Sequence, residues 1–431
     1  MPMTPSKDSG SPFNKGIQHE AKHGAILSRA AKLFNTKGAR ATTLSDVANR
    51  LGLTKTSLYY YVKTKEDLIY QCYDASLKHA HSLLDEVEAK TEDPLERVCL
   101  NLDLHIQSIL DSLAGNGDYF AAPLELESVK ADHRDLLVAE YLRLFKRVRD
   151  HIKQGIEQGV IRQIDATSTA RALMGALDWS FYWLYEMPEA VAADAARAVR
   201  QIVTHGLLKQ PEAYQPKDHP VNFDATAPAR GFDREAQNRL KQEAFFKAGT
   251  RFFNKKGFSG TSLDEIAEHL QVSKGAFYYH FANKESLLTQ CYEYSLDLLS
   301  AMYGSVATSE SSPAARLDEA CRRIFFLQNS DQGPLISYNT ITALSPPIRR
   351  KVLARTDEVN ANLDRMIDAG KSDGSFNAVS TPVAANMLVG AINAAMDMAL
   401  WRKLDDIDAA AIDYFDVFLF GLAAPDTRVS E

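Results

Sequence analysis

The sequence predicts an all-α protein built from two tandem copies of one unit, and three observations support this prediction. Residues 34–77 align without a gap with residues 253–296, at an offset of 219. Apolar residues recur at helical spacings of three and four, as in Ile26, Ala30 and Leu33, and no run of alternating strand residues occurs. Hydrophobic residues make up 45% and charged residues 24% of the chain, as in globular domains.

The length and the composition limit the classes of protein to which the chain can belong. A chain of 431 residues exceeds one ordinary hydrophobic core, so two or three domains are expected. Residues 1–16 are polar and no apolar segment follows them, so no signal peptide is expected. The most apolar segment, residues 383–401, contains Asn386, Asn393 and Asp397, which are costly in a bilayer but ordinary in a buried helix. We therefore expect a cytoplasmic protein without a membrane partner.

The four cysteines indicate neither a disulfide framework nor a metal site, because no CxxC pair or paired histidine spacing accompanies them. Cys72 and Cys291 occupy matching positions of the two copies, which predicts one core position used twice in a reducing compartment. The sequence contains no GxSxG elbow, no HExxH motif and no Gly-rich phosphate loop after a strand. An enzyme is therefore not expected, and neither a cofactor nor a metal.

Each copy carries the sequence signals of a helix-turn-helix. In the first copy, Lys37 and Gly38 predict the end of a helix, and the segment 43–46 fits the capping box that opens a second helix. After a tight turn, Thr54 is expected to cap a third helix over residues 55–61. The second copy repeats these signals at the same offset, with a third helix expected over residues 274–280. The second member of such a helix pair can enter the major groove of DNA.

The third helix is expected to point one face into the head and the other outward. Leu58 and Val62 are four positions apart and should be buried, as should their counterparts in the second copy. Packing within the head is the alternative to DNA contact for Tyr59 and Tyr278. The residues predicted to contact DNA are Thr42, Thr43, Thr54, Lys55, Thr56, Ser57, Tyr59, Tyr60, Tyr61, Lys65, Thr261, Ser262, Ser273, Lys274, Gly275, Ala276, Tyr278, Tyr279, His280 and Lys284.

Some of these residues have a structural role as an alternative. Thr43 and Ser262 are expected mainly as helix caps. Lys65 and Lys284 fall in the first turn of the long fourth helix of each copy. A lysine is mildly unfavourable at a helix N-terminus, so its presence in both copies suggests an external phosphate.

Positive charge is concentrated in the first copy of the helix-turn-helix. Residues 1–80 contain 12 basic and 6 acidic residues, a net charge of +6, whereas residues 230–300 contain 10 and 9, a net charge of +1. The whole chain carries −7, so the remainder is strongly acidic. This difference predicts that the two copies bind a polyanion with unequal strength.

The segment KGAFYYHFANKESLL resembles the end of the helix-turn-helix in the TetR/AcrR family of transcriptional regulators, and KTSLYYYVKTKEDLI departs from it at Tyr61 and Val62. The resemblance implies that each unit has a three-helix DNA-binding head and a helical body for ligand binding and dimerisation. It also implies an interface formed by the last two body helices. These correspond to residues 169–185 with 192–208, and 382–401 with 409–422.

The fusion of two such units implies an intramolecular pseudo-dimer, with further homodimer formation left open. We expect a sequence-specific transcriptional regulator, a ligand-responsive repressor that binds paired asymmetric half-sites on double-stranded DNA. The small-molecule effector is unknown. The residues placed where a cavity is expected are His105, Tyr119, Phe120 and His133 in the first body, and Phe325, Phe326 and Tyr338 in the second; ordinary packing is the alternative for each.

Two other functions are considered. The lower charge of the second head suggests a scaffold or dimerisation protein in which that head no longer binds DNA. A helical small-molecule carrier or enzyme is the third hypothesis.

The predicted boundaries are 1–80 for the first head, 81–209 for the first body, 210–233 for a proline-containing linker, 234–298 for the second head and 299–425 for the second body.

Overall fold

The computed structural model describes residues 12–122, 126, 129–223, 234–396 and 398–425. The polar N-terminal segment up to residue 11, Asp397 and the second part of the predicted linker lie outside these residues. Within the described residues the chain forms helices and no β-strand, apart from two isolated bridges, so the all-α prediction is confirmed. No helix in this part of the chain is both long and apolar enough to cross a bilayer.

The first unit begins with three helices of the head and continues into a helical body. Its helices are α1 (Pro12–Lys37), α2 (Leu44–Arg50), α3 (Lys55–Tyr59), α4 (Lys65–Lys90), α5 (Pro94–Ala114), α6 (Ala131–Gln158), α7 (Ala166–Glu186), α8 (Glu189–Ala192) and α9 (Ala195–His205). The second unit repeats this order with α10 (Arg234–Gly260), α11 (Leu263–His269), α12 (Lys274–His280), α13 (Lys284–Ala307), α14 (Pro313–Asn329), α15 (Pro346–Asp373), α16 (Thr381–Ala394) and α17 (Ile407–Phe420).

The predicted core positions of the two heads are buried. Leu58 and Val62 of the first head are fully enclosed, as are Phe277 and Phe281 of the second. The two matching cysteines, Cys72 and Cys291, occupy the same core position of each head, with their Sγ atoms 3.6 and 3.5 Å from backbone carbonyls of α1 and α10. Burial raises the pKa of both thiols, which keeps them protonated and unreactive.

The two units pack against each other through α7 and α16, which cross where each carries a glycine. A Cβ atom on Gly390 would lie 2.6 Å from Trp179 Cβ and 2.7 Å from Gly175 O. A Cβ on Gly175 would lie 2.9 Å from Gly390 O and still closer to Ala394 Cβ. These distances are below any van der Waals contact, so only glycine permits this crossing.

Helices α9 and α17 and the residues that follow them also contact each other. The amide of Leu207 donates to Phe418 O at 2.8 Å, and the amide of Leu422 donates to Val203 O at 2.8 Å. The donor positions, 207 and 422, differ by 215 in residue number, and so do the acceptor positions, 203 and 418. The two isolated bridges obey the same offset. Equivalent segments of the two bodies therefore contact each other at one constant offset.

The described part of the predicted linker is attached to the second body by buried side chains. The hydroxyl of Tyr214, which is buried, donates to Asp318 Oδ2 at 2.9 Å. Arg322, only 1% exposed, donates to the carbonyls of Pro216 at 3.1 Å and His219 at 2.8 Å, and pairs with Asp408. A buried guanidinium thus holds backbone carbonyls of the linker, and the segment is fixed to the second body.

A half-buried carboxyl in the first body predicts a dependence of stability on pH. Asp178 Oδ2 accepts a hydrogen bond from the Tyr141 hydroxyl at 2.8 Å, and burial raises the pKa of Asp178 to about 6. The unfolded carboxyl titrates near pH 4. The stabilising contribution of the protonated form is therefore complete below about pH 4 and is lost as the pH rises through 6.

We expect Asp178→Asn, which installs the residue found at the corresponding position 393, to raise the free energy of unfolding by about 2 kcal/mol at pH 7 and to have little effect at pH 4. Urea unfolding of both proteins across this pH range measures the difference. The reciprocal change, Asn393→Asp, should lower stability at pH 7. An Asp178→Asn curve that runs parallel to the wild-type curve would contradict the assignment.

Candidate nucleic-acid interface

The third helix of each head is short and presents two exposed tyrosines at or directly after its end. Helix α3 ends at Tyr59, earlier than the predicted residue 61, whereas α12 ends at His280 as expected. Thr54 caps α3, its hydroxyl accepting from Ser57 N at 3.1 Å, and Ser273 caps α12 in the same way. Tyr60 is 76% and Tyr279 is 87% exposed. Solvent-exposed aromatic rings at the same position of two copies are typical of a surface that contacts a partner.

Tyr61, which follows the exposed Tyr60 in the first head, has a different environment. Tyr59 and Tyr278 are exposed, as predicted for the outer face. Tyr61 is half-buried, with its ring centroid 4.8 Å from that of His19 and 5.3 Å from that of Tyr60. It packs against α1, because it is three positions from the buried Leu58 and so leans toward the same side of the helix. His280, its counterpart, remains exposed.

The two threonines expected to touch phosphate are buried instead. The hydroxyl of Thr42 donates to Gly38 O at 2.8 Å, and that of Thr261 donates to Gly257 O at 2.7 Å. Both glycines have a positive φ, where the chain leaves the first helix of the head. The hydroxyls satisfy carbonyls at this turn and do not lie on the surface of the head.

The capping boxes predicted for the second helix differ between the heads. Thr43 Oγ1 accepts from Asp46 N at 3.0 Å, and Thr43 N donates to Asp46 Oδ2 at 2.8 Å, so the first box is present. Ser262 makes no side-chain capping bond. Glu265, which has a longer side chain than Asp46, accepts from Lys256 Nζ at 2.8 Å.

Lys65 and Lys284 bind backbone carbonyls of their own heads. Lys65 Nζ donates to Arg40 O, and Lys284 Nζ donates to Phe258 O at 2.7 Å and Thr261 O at 2.9 Å. Desolvation, with a smaller effect of the nearby Arg40 charge, lowers the pKa of Lys284. These ammonium groups tie the fourth helix to the turn before the second helix, a structural role that the sequence does not predict.

The second head neutralises its own outward lysine. Lys274 Nζ lies 2.6 Å from Asp264 Oδ2, and the Tyr278 hydroxyl donates to Asp264 Oδ1 at 3.3 Å. The hydrogen bond to Asp264 raises the pKa of Lys274 and lowers that of Asp264. The first head has Ser45 at this position. No role is predicted for Asp264 from the sequence. The exchange of Ser45 for a carboxylate at the aligned position could have indicated one.

The second helix of the second head is also more acidic. Helix α11 contains Asp264, Glu265 and Glu268, whereas α2 contains one acidic residue, Asp46, and ends in Arg50. In a helix-turn-helix the first helix of the pair crosses the DNA backbone. The second head is therefore also the more acidic one on the helix that would face the phosphates.

Two family profiles each match both units of the chain. The profile described as "Bacterial regulatory proteins, tetR family" matches residues 26–72 and again 245–291. The profile described as "Tetracyclin repressor-like, C-terminal domain" matches residues 91–207 and 310–401. These segments make up more than half of the chain. The protein belongs to the TetR family. Its pair of family domains, a helix-turn-helix head and a helical body, occurs twice.

The segments of this TetR-family protein that match the relatives named here span one unit or part of one. The transcriptional repressor DhaR of Mycobacterium sp. (strain GP1) is 25% identical over 183 residues, which are 42% of this chain and 90% of DhaR. The Tn10 TetC protein of Escherichia coli is 28% identical over 147 residues, 32% of this chain and 69% of TetC. YerO, an uncharacterised helix-turn-helix regulator of Bacillus subtilis, is 50% identical over 54 residues, 12% of this chain and 19% of YerO.

Among solved structures, the TetR-family regulator PfmR from Thermus thermophilus is 27% identical, with 41% of this chain and 95% of PfmR covered and a TM-score of 0.36. The AibR apo structure is 20% identical, with 42% of this chain and 97% of that chain covered and a TM-score of 0.36.

The residues expected to line a ligand cavity have several environments. His105 and Phe120 line a small cavity of about 60 Å³ in the first body, and Tyr338 lies at clefts between the units. The other four pack elsewhere. Tyr119 and Phe325 are buried, His133 stacks on Tyr70, and Phe326 stacks on Phe223.

The pair formed by Lys274 and Asp264 predicts the effect of a single substitution. Asp264→Ser installs the residue of the first head, frees Lys274 and removes a charge of the same sign as phosphate. We expect DNA affinity to rise about fivefold and the slope of log affinity against log salt to steepen by about one. Fluorescence anisotropy with labelled duplex at several salt concentrations measures both quantities. Ser45→Asp should weaken binding; equal affinities for wild type and Asp264→Ser would exclude this role of Asp264.

Proposed function

We propose that the chain is a ligand-responsive, sequence-specific repressor that acts as an intramolecular pseudo-dimer on paired, asymmetric half-sites of double-stranded DNA. The observation that carries the proposal is the interface of α7, α9, α16 and α17, whose contacts recur at one constant offset in residue number. In two-fold dimers of helix-turn-helix proteins, half-sites lie about one DNA turn apart. A two-fold relation between the two bodies of this chain favours binding of its two heads to two such half-sites.

The two third helices differ in sequence, and this supports unlike half-sites. Thr56 and Ser57 of the first head provide hydroxyl groups, whereas Gly275 and Ala276 of the second provide none but permit a close approach of the backbone. The exposed His280 adds a further difference. Side chains of unlike hydrogen-bonding capacity read unlike base edges.

Contacts between the units support a route for regulation. Arg349 of α15 donates a hydrogen bond of 3.2 Å to the carbonyl oxygen of Lys37, which ends α1. The heads approach each other where the guanidinium of Arg40 lies 5.4 Å from the ring centroid of Phe258. An effector that favours another arrangement of these contacts changes the spacing of the heads. A coupling of about 3 kcal/mol would change DNA affinity about 150-fold.

Selection of bound sequences from random duplex DNA, followed by footprinting of the best site, tests the proposal. We expect a site with two dissimilar half-sites whose centres are about one DNA turn apart. Binding that shows no sequence preference would contradict specific regulation. A perfect palindrome would contradict unlike reading by the two heads.

One observation favours a second function, a regulator or scaffold in which the second head does not bind DNA. Asp264 occupies both Lys274 and the Tyr278 hydroxyl, which are donors that the proposal assigns to DNA. The selection experiment distinguishes the two functions, because an idle second head yields a single half-site. In that case Asp264→Ser is the first change to test for restored binding.

A further inference from the structure

Two large clefts lie between the units, and each joins the head of one unit to the body of the other. The cleft between residues 254–260 of the second head and helices α6 and α7 has a volume of about 790 Å³, and we call it the basic cleft. Its counterpart lies between residues 34–39 of the first head and helix α15, with about 1000 Å³, and we call it the acidic cleft. Both volumes are in the range of small-molecule sites.

The charges that line the two clefts have opposite signs. The basic cleft is lined by Arg134, Arg171, Lys255 and Lys256 against one carboxyl, that of Asp178. The acidic cleft is lined by Arg349 and Arg350 against Glu186, Asp357, Asp364 and Asp368. The lining of one cleft is therefore mainly cationic and that of the other mainly anionic. Random divergence of an unused surface would not be expected to produce this difference in sign.

Comparison of corresponding positions in the two units shows how the lining of the basic cleft differs from that of the acidic cleft. At the offset that relates the two bodies, Leu142 stands where the acidic cleft has Asp357, and Trp401 stands where it has Glu186. Arg171 corresponds to Asn386 in the same way, and Lys255 corresponds to Thr36 at the offset that relates the two heads. Two exchanges add apolar surface and two add a cation.

The apolar and cationic groups of the basic cleft lie close together. Leu142 and Val138 are exposed on α6. The guanidinium of Arg171 lies 4.9 Å from the Trp401 ring centroid and donates to the Tyr141 hydroxyl at 3.3 Å. Arg171 Nε is buried and has no hydrogen-bond partner among the described residues. A cation beside exposed apolar side chains matches a ligand with an anionic end and an apolar body.

We propose that the basic cleft binds one amphipathic acyl carboxylate per chain and that the acidic cleft does not. The carboxylate pairs with the cations around Arg171 and Lys255, and the acyl chain lies against Leu142, Val138 and Trp401. Because the cleft includes residues 254–260 of the second head, the ligand acts on the position of that head. This regulatory consequence rests on the proposed function, whereas binding of the ligand does not.

The binding test uses the full chain without DNA and dodecanoate as the probe, below its micelle concentration. Trp401 lines the basic cleft, so its fluorescence reports occupancy; Trp179 lines both clefts, so the variants assign the site. We expect saturable binding of dodecanoate and binding at least about tenfold weaker for dodecanol and dodecyltrimethylammonium. The double variant Leu142→Asp/Lys255→Thr, which installs residues of the acidic cleft at exposed positions, should bind dodecanoate at least about tenfold more weakly.

Asp357→Asn in the acidic cleft is the matched control and should leave dodecanoate affinity within about twofold, because that cleft takes no part in binding. The absence of saturable binding, equal binding of dodecanol, or a double variant indistinguishable from wild type would overturn the site. With the selected DNA, dodecanoate should change the affinity of wild type but not of the double variant. An unchanged DNA affinity in wild type would overturn the regulatory role, and failure to bind DNA would refute the proposed function while leaving the fluorescence result intact.

Discussion

Gly390→Ala is expected to lower the free energy of unfolding by about 3 kcal/mol, although it adds a single methyl group. The new Cβ would lie 2.6 Å from Trp179 Cβ and 2.7 Å from Gly175 O. Neither neighbour is the flexible end of a side chain, so α7 and α16 must move apart and lose packing along their contact. Urea unfolding of both proteins measures this loss.

A matched control is available in the same unit. Gly304 lies in α13, and a Cβ added there would have no neighbouring atom within 4 Å. Gly304→Ala should therefore raise stability by about 0.5–1 kcal/mol through helix propensity. Because α7 and α16 belong to one chain, the unfolding midpoints should not depend on protein concentration. Equal effects of the two substitutions would contradict the close crossing of these helices.

Tyr60→Ala and Tyr279→Ala are each expected to weaken binding to the selected DNA about tenfold, because each removes an exposed ring from the outer face of a third helix. Their free energies of unfolding should stay within about 0.5 kcal/mol of wild type, since both rings are solvent-exposed. Anisotropy titrations and urea unfolding measure the two quantities separately.

Leu400→Ala is the control for these tyrosines, because Leu400 is 83% exposed but lies outside both heads. It should change neither DNA affinity nor stability. Unchanged DNA affinity in both tyrosine variants would show that the outer faces of α3 and α12 do not bind DNA. A loss of stability in the tyrosine variants would instead indicate that the rings pack within the heads.

Much of the head was predictable because its core follows local rules. The spacing of Leu58 and Val62, the caps at Thr54 and Ser273 and the matching cysteines all depend on helix periodicity and short-range hydrogen bonds. The repeat then transferred each inference to the second copy. The interface of the last two body helices followed from the family resemblance and not from local rules. The close crossing of α7 and α16 at Gly175 and Gly390 appears only in the structure.

The remaining features depend on how helices are placed relative to one another. Lys284 was expected to face a phosphate, but the start of α13 lies beside the turn before α11, and the ammonium donates to carbonyls of that turn. Asp264 is ten positions from Lys274, and only the turn between α11 and α12 brings them together. The linker lacks apolar periodicity, so its attachment to the second body through Arg322 has no signal in its own sequence.

The proposed function requires both heads of one chain to bind the same duplex. Hydroxyl-radical footprinting of the selected DNA by wild type, Tyr60→Ala and Tyr279→Ala distinguishes the contribution of each head. The wild type should protect two half-sites about one DNA turn apart, and each variant should lose protection mainly at a different one. Loss at the same half-site in both variants, or a Tyr279→Ala footprint identical to that of wild type, would contradict the claim.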